Sequence, residues 1–135
     1  MEKIEQIANI VTIIGFLSIL FTAYQFIRYK RVEEAKLWLE LRDKFLNHSD
    51  IHIKLRNGIE LNEEDYPHLD AYLGQFELCQ PMLQKKLIDK AVFTSQYDYR
   101  LHNISINREV IDYINIDRDD WVLFIRLCND FGYEI

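Results

Sequence analysis

Twenty-two consecutive residues without a charge, Gln6–Ile27, constrain this chain more than any other feature. They lie between Glu5 and Arg28 and read, after Gln6, IANIVTIIGFLSILFTAYQFI. As an α-helix they reach about 33 Å, enough to cross a hydrocarbon core of about 30 Å. Lipid offers no hydrogen-bond partners, so a lone segment crosses only if its backbone satisfies itself. We read the stretch, from Gln6 and Ile7 through Gly15 and Thr22 to Ile27, as a single transmembrane helix.

Three other readings fit less well. A cleaved signal peptide has a shorter apolar core and small residues before its cut site, whereas Phe21 and Tyr24 spoil an Ala-x-Ala pattern around Ala23 here. A buried core helix is usually shorter or charged on one face. An amphipathic surface helix needs a charged face, and only Asn9, Thr12, Ser18, Thr22 and Gln25 are polar.

Orientation follows from the flanks. Glu2, Lys3 and Glu5 precede the span, and Arg28, Lys30 and Arg31 follow it. That basic excess predicts an inner-membrane protein with its N-terminus outside and its C-terminal domain in the cytoplasm. The trio can also attract anionic lipid, at about 1 kcal/mol per charge.

The expected organisation is therefore an anchor with a basic neck over 1–31 and a cytosolic domain over 32–135. The chain carries −6 in all; residues 1–31 carry +2, which leaves −8 beyond. Such a domain has no electrostatic footprint for nucleic acid. Cys79 and Cys128 stand apart from any CxxC, so neither a disulfide framework nor a zinc knuckle is suggested.

The fold class expected for 32–135 is all-α, a small helical bundle. Val32–Asn47 stays in helical register through Ala35, Trp38, Leu41 or Arg42, and Phe45, with Leu39 and Leu46 widening the stripe. Lys36–Glu40 and Glu40–Lys44 fall at i,i+4 on the other side. No Gly or Pro separates this helix from the anchor, so one long rod is expected. A short helix, Ile51–Asn57, follows, with Ser49 or Asp50 as cap and Gly58 as stop; a strand is the competing reading, because Ile51, Ile53 and Leu55 alternate.

Asn62–Asp65 and Pro67 open a helix whose stripe is Leu69, Tyr72, Leu73, Phe76 and Leu83, and Pro81 should kink or split it. Asp89 caps a helix bearing Phe93, Tyr97, Leu101 and Ile104, and Asn107 caps one bearing Val110, Ile111 and Ile114. Asp117 opens the last, whose core face reads Trp121, Phe124, Ile125 and Cys128 before Gly132 stops it. Trp38, Phe76, Phe93, Trp121 and Phe124 should be largely buried.

The segments WLELRDKF (Trp38–Phe45), IHIKLRNG (Ile51–Gly58) and YLGQFELCQPMLQKKLID (Tyr72–Asp89) resemble a group of small bacterial membrane-anchored helical proteins of a domain-of-unknown-function family. The resemblance implies an N-terminal anchor and a helical domain but supplies no catalytic residue. Pro81 and Lys85–Lys86 depart from the family's simpler Gly-ended helix. Proteins of this general shape are suspected of acting in defence against phage, a fold-level analogy.

His48 and His52 stand at i,i+4 and could face a metal, but no HExxH or third ligand accompanies them, and a capping or surface role is expected. Glu63–Asp65 and Asp117–Asp120 precede apolar helices, where acids stabilise N-termini rather than bind cations. Glu77 within an apolar helix should point outward or pair with Arg100 or Arg42. Tyr97, Tyr99, Arg100 and His102, with Arg108 near, could stack a nucleotide, although core packing with polar tips is the simpler reading. Asn47 and Asn103 head glycosylation sequons that a cytosolic domain would leave unused. With four glycines in the chain, a phosphate cradle has little material.

We expect no catalytic site, no metal and no cofactor. The expected function is a membrane-tethered interaction module, which recruits a cytoplasmic partner or self-assembles; the alternative is a membrane-perturbing effector of an antiphage or toxic response. The lipid bilayer is the first partner. A second copy is another, through a stripe of Ala8, Thr12, Gly15 and Thr22, because small residues let helices approach closely in lipid. The seven-residue recurrence of Ala8, Gly15 and Thr22 favours a left-handed crossing.

Overall fold

With no Gly but Gly15 and no Pro before Leu46, nothing in the first third of the chain interrupts helix. In the computed structural model, which describes all 135 residues, it is one helix, α1, Glu2–Leu46. Five more follow: α2 (Ser49–Arg56), α3 (Tyr66–Gln84), α4 (Lys90–Ser105), α5 (Arg108–Ile116) and α6 (Val122–Asp130), with a 3₁₀ turn at Arg118–Trp121 before α6. No strand is present, and the all-α class holds. The chain forms two units, Met1–Leu37 and Trp38–Ile135.

In the first unit every side chain from Met1 to Glu33 is exposed, and the apolar window of α1 is wholly unburied. This is not the core helix of a soluble fold. It is one helix long and apolar enough to cross a membrane. Thr12, Ser18 and Thr22 each donate to the carbonyl four residues back, at 2.8, 2.8 and 2.9 Å. The helix thus satisfies these three hydroxyls as well as its backbone.

The second unit has an aromatic core. Phe45, Tyr72, Phe76, Phe93 and Phe124 are fully buried, as are Leu69, Leu73, Leu101 and Ile104. The Phe45 ring lies 4.7 Å from Phe76 and 4.4 Å from Tyr97; Phe76 reaches Tyr72 at 5.2 Å and Phe124 at 6.2 Å. Each such side chain contributes about 1.5–3 kcal/mol by leaving water. The α3 and α4 stripes are as their spacing predicts, except that Leu83 is half-buried and Cys79 is buried.

Local chemistry sets the ends. Asp89 accepts from Val92 N at 3.0 Å and Asn107 from Val110 N at 3.2 Å, the two expected N-caps. Three helices end alike, with paired bonds from the two residues past the C-cap: Ile59 N to Lys54 O after α2, Leu87 N to Met82 O after α3, and Tyr133 N to Cys128 O after α6. Gly58 (φ 64°) and Gly132 (φ 83°) take the left-handed position in two of them. Lys86 (φ 56°) takes it in the third, where its Cβ makes the same conformation costly.

Several expectations fail for identifiable reasons. Neither Ser49 nor Asp50 caps α2: its N-cap is His48, without a side-chain bond, and Ser49 Oγ turns back to Leu46 O. Asp117 makes no side-chain cap either, and a 3₁₀ turn intervenes before α6. Pro81 does not split α3, which runs through it to Gln84. It stands near the helix end, where one missing N–H disturbs little. Lys36 pairs with Glu33 at 3.1 Å rather than with Glu40. Trp38 and Ile125 are only half-buried and Ala35 is exposed, whereas Leu127 is fully buried.

Candidate functional site

The residues expected to act in the membrane all lie on α1. Gln6, Ile7, Gly15, Thr22 and Ile27 are exposed, and so are Arg28, Lys30 and Arg31, none of which makes an ion pair. Ala8, Thr12, Gly15 and Thr22 share the small-residue stripe, and a Cβ placed on Gly15 would meet no atom. The apolar hollow of this surface lies further along, among Ser18, Ile19, Thr22, Ala23 and Phe26. The hydroxyl protons of Thr12, Ser18 and Thr22 are already donated within the helix, so only their lone pairs face outward.

In the second unit His52, Tyr72, Tyr97, Tyr99 and Arg100 form one connected group. Tyr72 OH and His52 Nδ1 are 3.3 Å apart inside the fold. Burial, reinforced by the positive charges of Arg100 and Arg56, lowers the His52 pKa to about 4. Burial also lowers that of His48, with His68 and Arg100 adding to the effect. Arg100 lies over the rings of Phe45, Tyr97 and Tyr99 at 5.5, 5.8 and 5.8 Å, and its Nε donates to Tyr99 OH at 3.1 Å. Tyr97 is buried and His102 lies instead against Tyr133, at 5.8 Å between rings. The four residues considered for nucleotide stacking therefore do not form one platform.

Two polar clefts also lie in the second unit. One, of about 470 Å³, lies between His48, Asp50, Lys54, Asp65 and His68, and is spanned by the Lys54–Asp65 ion pair at 2.6 Å. Lys54 and the Asn62 backbone N–H hold the Asp65 carboxyl below its ordinary range. The other, of about 420 Å³, is acidic, with Asp70, Glu77, Asp117 and Asp120 beside Tyr113 and Trp121. No group of three His, Cys, Asp or Glu side chains is placed to hold a metal ion.

Glu77 pairs with neither Arg100 nor Arg42. Its Oε2 accepts from Phe124 N at 3.3 Å, so a residue of α3 caps the first turn of α6. Burial raises its pKa against those backbone bonds, and Asp70 and Asp120 add to the rise. Cys79 and Cys128 are free, and burial pushes both thiols up to about 12, which leaves them protonated and unreactive at neutral pH. Sequence reasoning missed three polar contacts of the core: His52 with Tyr72, Lys54 with Asp65, and Gln80 Nε2 donating to Asp130 at 2.8 Å. Only the acid–base sign of Lys54 and Asp65 hinted at any of them. No family model, no curated protein and no solved structure matches the chain.

Proposed function

We propose that this chain is a single-pass membrane-tethered helical module. Gln6–Ile27 crosses an inner membrane with Met1 outside, and the domain beyond Val32 holds a partner protein, or a further copy of the chain, in the cytoplasm. The observation that carries this reading is the exposure of the whole uncharged stretch of α1. Left in water, its Phe, Ile and Leu side chains would each forfeit about 1.5–3 kcal/mol. Two further features support it: the internally bonded hydroxyls suit hydrocarbon, and Arg28, Lys30 and Arg31, free of ion pairs, suit phosphate headgroups.

The test is expression of the full chain followed by alkaline extraction and intact mass. It should stay in the membrane pellet at full length; release, or loss of the first residues by processing, would refute the anchor. A C-terminal reporter active only in the periplasm should remain silent, and should light up in part when Arg28, Lys30 and Arg31 become Glu. For self-assembly, single cysteines in a chain lacking Cys79 and Cys128 should crosslink at positions 8, 15 and 22 and fade at 10, 17 and 20. A flat profile would leave a tether without a helix interface, and depolarisation of expressing cells would favour the membrane-perturbing effector instead.

A further inference from the structure

Val32, Leu39 and Leu46 recur at seven-residue intervals on α1 and are 46%, 61% and 54% exposed. One exposed Leu is ordinary on a protein surface, but a seven-residue apolar recurrence marks a helix that packs along another helix. In a heptad abcdefg that puts these three at d, Ala8, Gly15 and Thr22 all fall at a. The residues that α1 gives to its own bundle fall elsewhere. Leu41 at f and Phe45 at c are buried, and Trp38 at c is half-buried. From Val32 to Leu46 every a, d, e and g position is exposed. The bundle thus takes one side of the helix and leaves the coiled-coil side open.

The charges on the open side suit a second copy of the same helix. Copies anchored by one kind of span share its topology and run parallel, so each position meets its own counterpart. In a parallel pair, a lies beside the preceding g of the other helix, and g reaches the e five residues on. Asp43 at a then meets Arg42 of the second copy, and Arg28 at g meets its Glu33. Arg28, Arg42 and Asp43 make no ion pair within one chain, and Glu33 holds only Lys36. Lys36 stands at a, where a charged residue fixes register at a cost in stability. The seam beyond the membrane is therefore weak alone and depends on the local concentration that the anchor provides.

We propose that Val32–Leu46 pairs in parallel with the same segment of a second copy, through a seam of Val32, Leu39 and Leu46 edged by Arg42 and Asp43. The inference rests on the anchor proposed above and names the second copy as the occupant of this face. A straight α-helix drifts about 20° per heptad from such a repeat, so the pair coils left-handed.

The experiment is oxidative crosslinking of single added cysteines in the full chain, in native membranes, with the membrane pellet assayed on the same sample. Cys79 and Cys128 are buried and stay in place, and the parent chain is the blank. Val32→Cys, Leu39→Cys and Leu46→Cys should each give disulfide-linked dimer. Lys30→Cys and Lys44→Cys, exposed at b, should give no more than the blank. Arg42→Asp should cut the dimer yield of Leu39→Cys several-fold, because like charges then face each other, and adding Asp43→Arg should restore it. Loss of the chain from the pellet would overturn anchor and seam together. With the chain in the pellet, equal yields at d and b, or a yield that Arg42→Asp leaves unmoved, would overturn the seam alone.

Discussion

Phe16, Phe21 and Phe26 are 61%, 60% and 68% exposed, whereas Phe76, Phe93 and Phe124 have no exposed surface at all. The same side chain thus meets opposite surroundings in the two units of one molecule. In Trp38–Ile135 the apolar residues recur at helical spacing with polar ones between, and the chain hides them from water by packing helix on helix. In Met1–Leu37 they cover the helix all round, so no arrangement of one helix can hide them. The difference teaches that periodicity, more than apolar content, decides whether a segment builds its own core or requires a solvent that is itself apolar.

The sharpest test of that contrast is a pair of truncations. Phe76→Ala removes a ring in contact with Phe45, Tyr72 and Phe124, and should cost about 3–5 kcal/mol in denaturant unfolding of the second unit. Phe21→Ala should leave that transition unmoved. Equal effects would mean that the two regions share a core. Next in size, Leu17→Arg puts a charge at mid-span and should cost about 2.5–3.5 kcal/mol of insertion, read as loss from the membrane fraction. An Arg at exposed Leu78 should leave fractionation unchanged.

Acid should act on the second unit alone. The folded His52 pKa, about 4, lies below its ordinary 6.5, so between those values the unfolded chain binds the extra proton. Stability from the neutral ring is complete above pH 6.5 and is lost as pH falls toward 4, by about 2 kcal/mol once partial hydration is allowed for. Denaturant melts at pH 7.5 and 4.5 should show this loss, and His52→Gln should reduce the difference between them. The smallest effect is a gain. Lys86→Gly relieves the left-handed conformation after α3 and should add about 0.5–1 kcal/mol, after subtraction of the greater freedom of Gly in the unfolded chain.

What could be read from the sequence was what residues decide with their near neighbours. Asp89 and Asn107 cap amides three residues away, and Leu69, Tyr72, Leu73 and Phe76 share a face through helical geometry alone. Ser49 failed as a cap because its hydroxyl had a competing local acceptor, the carbonyl of Leu46. Trp38 failed because helical spacing fixes its direction but not what lies opposite. The Arg100 cluster was legible only as a run of aromatic and basic residues. That Phe45, brought in by α1, lies under the same guanidinium as Tyr97 and Tyr99 depends on tertiary packing.

Glu77 carries a consequence for the order in which the second unit assembles. The amide that it receives belongs to Phe124, forty-seven positions later, while the residues just before α6 supply no side-chain cap of their own. The first turn of α6 is thus delimited by another helix, and its ends fray until α3 is docked against it. In folding kinetics α6 should gain its native contacts together with its docking on α3, the helix it packs against most extensively, and not before it. In native-state hydrogen exchange the amide of Phe124 should open only when α3 and α6 separate, whereas that of Val92, capped by its own Asp89, can be protected whenever α4 alone is formed.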